Sequence, residues 1–183
     1  MSLRLCVYAA FLSLLFSVTA KSQIGAGYSR LTLDTPAKDN FDGFGVRLRL
    51  PIEQGGIQIN LEVDATAYGS TAFDSPYSID NLHTFGLGFE LAPYIKLPET
   101  SLFLIPSAYA GIKMADYEST RILSPYLLDK RDERIFGWST RVGFALAGTG
   151  AGFEVSYGWN KLNFNSRTDG MHGELYIGFF QSF

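Results

Sequence analysis

The chain ends in Glu174-Leu175-Tyr176-Ile177-Gly178-Phe179-Phe180-Gln181-Ser182-Phe183, and the character of its side chains alternates along this segment. Apolar residues occupy one parity, at Leu175, Ile177, Phe179 and Phe183, and Gln181 interrupts them once. Alternation with a period of two predicts a β-strand whose two faces meet different environments. An unpaired chain end frays in solvent and gains nothing from a terminal aromatic residue. We therefore expect this strand to stay paired up to its last residues.

The other end of the chain has the three parts of a secretory signal peptide. Arg4 supplies the positive charge, Leu5 to Phe16 is apolar, and Val18 and Ala20 fit the −3 and −1 positions of a cleavage site. The apolar run is shorter than the about 20 residues that a membrane-spanning helix needs, which disfavours an N-terminal anchor. We expect residues 1–20 to be the signal peptide and residues 21–183 to form one domain. That domain would contain no cysteine, since Cys6 is the only one in the chain.

The composition favours strands over helices. Aromatic residues make up 15% of the chain and glycines number 19, which suits strands joined by tight turns. The formal net charge of −3 gives no basis for binding nucleic acid, which usually requires a basic face. No segment after residue 20 is long and apolar enough to cross a membrane as a helix. A membrane protein with this sequence would have to be a β-barrel, because only helices and closed sheets satisfy all backbone groups in lipid.

Alternation and turn signals predict eight strands. Their bounds are Gln23–Leu33, Phe41–Leu50, Ile57–Tyr68, Leu82–Lys96, Leu102–Asp116, Ile135–Ala147, Gly152–Phe164 and His172–Phe183. Tight turns alternate with longer polar loops, the turns being Pro51–Gly56, Leu97–Ser101 and Gly148–Ala151, and the loops Asp34–Asn40, Gly69–Asn81, Tyr117–Arg134 and Asn165–Met171. Short turns at one end and long loops at the other are typical of transmembrane β-barrels.

Each predicted strand has one apolar face and one polar or charged face. In the second strand the apolar face consists of Phe44, Val46, Leu48 and Leu50. The opposite parity of the strands carries five basic and five acidic residues, which are Arg47, Arg49, Lys96, Lys113, Arg141, Glu62, Asp64, Glu90, Glu154 and Glu174. On a soluble sheet this would be the solvated face, but the sequence predicts no helix to cover the apolar face.

A closed sheet with its apolar face turned to lipid resolves this difficulty. The charges would then fill the lumen and would have to pair, because unpaired charges are costly in a poorly solvated interior. We therefore predict an all-β fold, an eight-stranded antiparallel up-and-down transmembrane β-barrel with an interior charge network. We expect Arg141 to pair with Glu154, and Arg47 or Arg49 with Glu62. A barrel of this size is only ~16 Å across, so side chains should fill the lumen.

Aromatic residues fit two girdles at the edges of the apolar surface. The loop side would hold Tyr28, Tyr68, Phe85, Trp138 and Trp159, and the turn side Phe153, Phe179 and Phe183. Ordinary cross-strand aromatic pairing is the alternative for any single ring.

Through this architecture, the signal peptide and the terminal Phe, the chain resembles small eight-stranded outer-membrane proteins of the opacity-protein and OmpA-transmembrane type. The resemblance implies a place in the bacterial outer membrane, contact with its lipids and lipopolysaccharide, and delivery to the barrel insertion machinery. Phe179 and Phe183 would then belong to the insertion signal. We further expect a structural or surface-interaction role, without catalysis, metal or cofactor.

The longest predicted loop is the candidate for contact with a surface partner. Its apolar and basic residues lie side by side, and such surfaces often mark contacts. The candidate contact residues are Tyr126, Leu127, Lys130, Arg131 and Arg134. The guanidinium groups of the two arginines would suit phosphates of lipopolysaccharide. Neighbouring acidic residues offer the alternative of a self-paired, solvated loop. The sequence identifies no partner.

Two other functions remain as alternatives. Some barrels of this size are lipid A acyltransferases or deacylases, which, as the resemblance implies, use a His with Ser and a carboxylate near the outer rim. His83 and His172 both begin strands at that rim, but on opposite sides of an eight-stranded barrel. Pro93 and Pro106 should face one another and interrupt the wall, which resembles the proline-interrupted seams through which palmitoyltransferase barrels admit lipid chains. Frayed or bulged strand ends on the periplasmic side are the alternative that we favour. A soluble lipocalin-type barrel would give no reason for the terminal Phe.

Overall fold

The computed structural model describes residues 22–34, 40–53, 57–69, 77–124, 127–164 and 170–183. Their strands are β1 (Gln23–Thr32), β2 (Asn40–Glu53), β3 (Ile57–Tyr68), β4 (Tyr77–Pro93), β5 (Ile95–Lys96), β6 (Phe103–Ser124), β7 (Leu127–Ala147), β8 (Ala151–Lys161) and β9 (His172–Ser182). Strand β5 continues β4 along the same side of β6, so the wall is eight-stranded. None of the described residues forms a helix long and apolar enough to cross a membrane.

The terminal strand closes the barrel. β9 pairs antiparallel with β1 from Gln23↔Ser182 to Thr32↔Gly173, and with β8 on its other side. The N–H of Phe183 also donates to the carbonyl of Ser22 at 2.9 Å. The sequence therefore predicted the fold correctly, as an all-antiparallel barrel in which each strand neighbours the next and the last meets the first.

An apolar band surrounds the outside of the barrel. Its most exposed members are Phe136 on β7, at 72%, and Phe179 on β9, at 71%. On β7 the outward apolar residues run from Phe136 to Leu146, a height of ~25 Å for a tilted strand. This height matches the apolar band of transmembrane barrels.

Charged side chains on the outward face mark the loop-side limit of this band. The Nε of Arg30 on β1 lies 2.7 Å from Oδ1 of Asp42 on β2, and both side chains are about half exposed. On the β6–β7 side, the guanidinium of Arg134 lies 3.3 Å from Oδ2 of Asp116. Because hydrocarbon does not solvate charges, we define the residues beyond these two pairs as the outer rim.

The segment Tyr117–Arg134 was predicted to be a loop, and this prediction is wrong. β6 and β7 continue through it as a hairpin, with Asp116 opposite Arg134 and Arg121 opposite Asp129. Opposite charges that face one another across two strands stabilise their pairing, so a charge-rich segment need not be a loop. β4 likewise begins at Tyr77, inside the predicted loop Gly69–Asn81, and pairs with β6 there.

Lys96 was predicted to lie among the charges of the lumen, and this prediction is wrong, because both residues of the short β5 are exposed. Pairing with β6 is interrupted after Leu91 and resumes at Ile95 in the same register, so Lys96 keeps the inward parity, opposite Phe103. Lys96 lies at the turn-side end of the strand, where a long side chain can carry its charge into water. Parity therefore identified the face of Lys96 but not its depth along the barrel.

Candidate functional site

The middle of the lumen is a layer of buried charges. Each member is at most 7% exposed, and the layer consists of Arg47, Arg49, Lys113 and Arg141 with Glu62, Asp64, Glu90, Glu154 and Glu174. These are the nine residues that parity assigned to an interior network. Without Lys96, the layer holds four cations and five carboxylates among the described residues.

Glu62 and Arg49 form the centre of the layer. The fully buried carboxylate of Glu62 accepts from Nε of Arg49 at 3.0 Å and from Nη2 of Arg141 at 2.6 and 2.7 Å. Arg49 also lies 2.9 Å from Glu90 and donates to Glu154 at 2.5 Å. Three carboxylates from three other strands therefore surround one guanidinium. Such charge-assisted bonds stabilise one arrangement of the wall around them.

A second group of contacts surrounds Glu174. Its carboxylate binds Nζ of Lys113 and accepts from the hydroxyl of Tyr68 at 2.8 Å and from Nδ2 of Asn160 at 2.8 Å. Tyr68 is thus an inward residue and does not belong to the outer girdle in which the sequence analysis placed it. Lys113 also reaches Asp64, at 3.6 Å.

Arg47 connects these groups on the β8 side. Its guanidinium donates to Glu154 at 3.2 Å and to Ser156 at 3.0 Å, and it lies 3.5 Å from the ring centre of Tyr176. Stacking on an aromatic ring suits the weakly hydrated, planar guanidinium in a place that contains little water.

The predicted pairing of Arg141 with Glu154 is replaced by pairing with Glu62. Arg141 lies opposite Gly158 and Glu154 opposite Ala145, so the two charges differ by four residues in height. That offset corresponds to ~13 Å along the strands. Glu62 is nearer across the lumen, and its direct register partner is Arg49, as predicted.

An apolar plug covers the charged layer on the loop side. It consists of Leu31, Leu33, Phe41, Tyr68, Ile79, Leu82, Ala115, Tyr117, Leu162 and Phe164. The pattern of faces did not reveal it, because all of these residues except Ile79 share the parity of the charges. Ile79 faces inward through the register shift between Asp80 and His83. The sequence did contain a signal for the plug: the inward-facing residues near the loop ends of β1 and β8 are apolar and not charged. On the turn side a smaller apolar layer of Ala92, Ile105, Ala145, Ala147 and Phe180 lies below the charges.

His172 forms hydrogen bonds between strand ends beside the plug, at the rim. The backbone N–H of Asp34 donates to its Nδ1 at 3.0 Å, and an N–H can only donate, so Nδ1 carries no proton. Nε2 is then protonated and donates to the carbonyl of Leu162 at 2.6 Å. The imidazole is neutral, fully buried and has both nitrogens occupied. It joins the ends of β1, β8 and β9.

Protonation of His172 is expected to loosen the rim. His172 lies beyond the Arg30–Asp42 pair, and its burial lowers its pKa. As the pH falls through about 6.5, the unfolded chain takes up a proton that the folded chain does not, so stability should decrease as the pH falls further. Urea unfolding at several pH values measures this slope. His172→Gln should reduce this slope, and an equal slope in the variant and the parent protein would contradict the assignment.

The two histidines do not form a joint site. His83 lies on the outward face of β4, opposite Ala67 and Asp116. β4 and β9 are four strands apart in the closed order, so the two rings are on opposite sides of the barrel. Within the described part of the chain, no group of three His, Cys, Asp or Glu side chains could hold a metal ion.

The candidate contact residues lie on or near the β6–β7 hairpin. Tyr126 and the side chain of Leu127 are outside the described residues. Lys130 and Arg131 are exposed, and Arg131 lies 2.9 Å from Asp129. Arg134 is the exposed partner of Asp116 at the rim. The basic groups Arg131 and Arg134 therefore already have acidic neighbours, and Lys130 projects from the same part of the hairpin.

The closed antiparallel wall, the outward apolar band and the ionic lumen define the class: this is the fold of small eight-stranded outer-membrane β-barrels. Ail, the attachment invasion locus protein of Yersinia pestis, is 15% identical and aligns over 91% of this chain and 100% of that chain, with a TM-score of 0.56. The N-terminal β-barrel domain of Pseudomonas aeruginosa OprF is 12% identical over 90% and 98%, with a TM-score of 0.56. Neisserial surface protein A is 15% identical over 88% and 97%, with a TM-score of 0.52. No protein-family model and no curated protein matches the sequence. The similarity to these three structures concerns the fold.

Proposed function

We propose that the protein is an integral outer-membrane barrel with a lumen filled by side chains and a structural or surface-interaction role, and that it is not an enzyme. The observation that carries this proposal is the reversal of a soluble core, with exposed apolar side chains outside and paired charges inside. Lipid is the medium that favours this arrangement, since water would favour the opposite one. Residues 1–20 would direct export, and Phe179 and Phe183, both outward and exposed, would be read by the insertion machinery.

The hairpin of β6 and β7 is the surface that we propose for contacts outside the membrane. It continues past the rim pair Asp116–Arg134 to Ser124 and Leu127. Lys130, Arg131 and Arg134 are exposed there and would meet phosphates of lipopolysaccharide or acidic groups of another surface. Rigid strands present these side chains in a fixed order, as binding surfaces built on scaffolds require.

A lipid A acyltransferase or deacylase is the alternative that we disfavour. A histidine that acts as a general base needs a free ring nitrogen within reach of the reacting group. Both nitrogens of His172 are bound to backbone groups. His83→Gln and His172→Gln are each expected to leave the lipid A profile unchanged in mass spectrometry, and an altered profile in either variant would favour the enzyme.

Membrane fractionation and gel mobility test the main proposal. We expect the protein in the outer-membrane fraction, with faster migration when unboiled than when boiled, because the closed barrel resists unfolding by detergent. A protein that is monodisperse in buffer without detergent would contradict it, as would identical mobility before and after boiling.

A further inference from the structure

The barrel wall has a gap between β4 and β6 on the turn side. The ladder ends at Leu91↔Ala108 and resumes, in the same register, at Ile95↔Leu104. Two residues further from Leu91, this register places Pro93 opposite Pro106. Each proline has a carbonyl but no N–H, so neither can give the other a backbone hydrogen bond. Three register positions of the wall therefore have no ladder.

A cavity lies behind this gap. Ala92 and Tyr94 line it from one side of the gap, and Ile105 and Ser107 from the other. Gln23, Arg49, Asn60 and Glu90 also line it, so it reaches the ionic layer. Nε2 of Gln23 donates to the hydroxyl of Tyr94 at 2.6 Å at the turn-side end.

The cavity has the size and chemistry of a water site. The space for the centre of a water molecule is about 20 Å³, which suits one ordered water. The same space is too small for a lipid acyl chain. Backbone groups at the gap have lost their ladder partners, and hydrocarbon offers none. A water molecule in the cavity would supply hydrogen bonds to these groups and to the polar side chains around it.

We propose that this gap is a hydration portal, through which water from the turn side enters the barrel wall and reaches the Arg49–Glu90 pair. On the loop side the apolar plug keeps the ionic layer dry. The layer is thus hydrated from one end only. Water at this position screens the carboxylates, which outnumber the cations of the layer. This water exchanges through the side of the barrel and needs no axial channel.

Nuclear magnetic resonance of the folded protein in lipid nanodiscs tests this proposal. Ala92 and Ala115 are matched probes, since both are buried alanines that face inward, one at the cavity and one in the plug. We expect a cross-peak between water and the methyl group of Ala92, at least about five times stronger than that of Ala115. The proposal would be overturned if the water cross-peak of the Ala92 methyl were no stronger than that of Ala115, or if the Ala92 methyl gave cross-peaks to lipid acyl protons only.

The prolines supply a second measurement. In Pro93→Val with Pro106→Val, both N–H groups return, the ladder can close, and the water cross-peak of Ala92 should decrease several-fold. Pro51→Val, at the end of β2 away from the gap, is the control and should leave the cross-peak unchanged. A cross-peak that persists in a folded double variant would show that water does not enter through the gap. If the double variant does not fold, the comparison of Ala92 with Ala115 still decides.

Discussion

Arg141→Met is expected to lower the free energy of unfolding by about 3–5 kcal/mol, the range for breaking a buried ion pair from one side. Arg141 donates to both carboxylate oxygens of Glu62, which is fully buried. The substitution removes one of four cations from a layer with five carboxylates. Among the described residues, Glu62 would retain only Arg49, which already contacts Glu90 and Glu154. Urea unfolding in lipid vesicles measures the change.

A second variant distinguishes loss of pairing from loss of packing. Arg141→Met combined with Glu62→Gln should be more stable than Arg141→Met alone, because it removes the stranded charge together with its partner. Asp42→Asn is the control, since its pair with Arg30 is exposed and such pairs contribute little. A double variant less stable than the single one would contradict the account of the ionic layer.

Val142→Arg is expected to destabilise the barrel in lipid by about 2–4 kcal/mol, the cost of a cation at the midplane of a membrane. Val142 faces outward on β7, is 52% exposed and lies near the middle of the band from Phe136 to Leu146. On a soluble protein an exposed valine accepts arginine with a change of about 0.5 kcal/mol or less. The size of the effect therefore identifies the medium around the barrel.

The depth dependence of the same change provides the control. Phe136 lies at the loop-side edge of the band, where the cost of a cation falls to about 0–1 kcal/mol. Each arginine variant is compared with the alanine variant at its position, so that the loss of the original side chain cancels. Equal costs at Val142 and Phe136 would argue against a bilayer around this surface.

Alternation alone was sufficient to predict the barrel wall and the nine charged residues inside it. A shift of one residue would turn every side chain of a strand to the other face, so the period of two fixes which residues share a face. Arg49 and Glu62 followed from this rule, because their strands are neighbours and their parities agree. Tyr68 also has the parity of Glu62, and its placement in the outer girdle overrode that rule.

The other wrong predictions concern residues whose position depends on the folded barrel and not on the pattern along the chain. The many charges of the segment Tyr117–Arg134 suggested a solvated loop. In the structure, residues of opposite charge face one another across β6 and β7 and stabilise a hairpin. Lys96 has the inward parity but lies at the turn-side end of the barrel, and parity does not give the depth of a residue along the lumen. The partner of Arg141 depends on distances across the lumen, and no pattern along the chain contains these distances.

The ionic layer makes assembly of the barrel cooperative. Arg49 belongs to β2, whereas Glu62, Glu90 and Glu154 belong to β3, β4 and β8, and Lys113 of β6 binds Glu174 of β9. Arg49 and Glu62 can pair within the β2–β3 hairpin, but Glu90, Glu154 and Glu174 meet their cations on strands that are not their neighbours. A half-built sheet would carry bare ions into hydrocarbon, at a cost that its few completed contacts do not offset. We therefore expect entry into the bilayer to be coupled to closure of the cylinder.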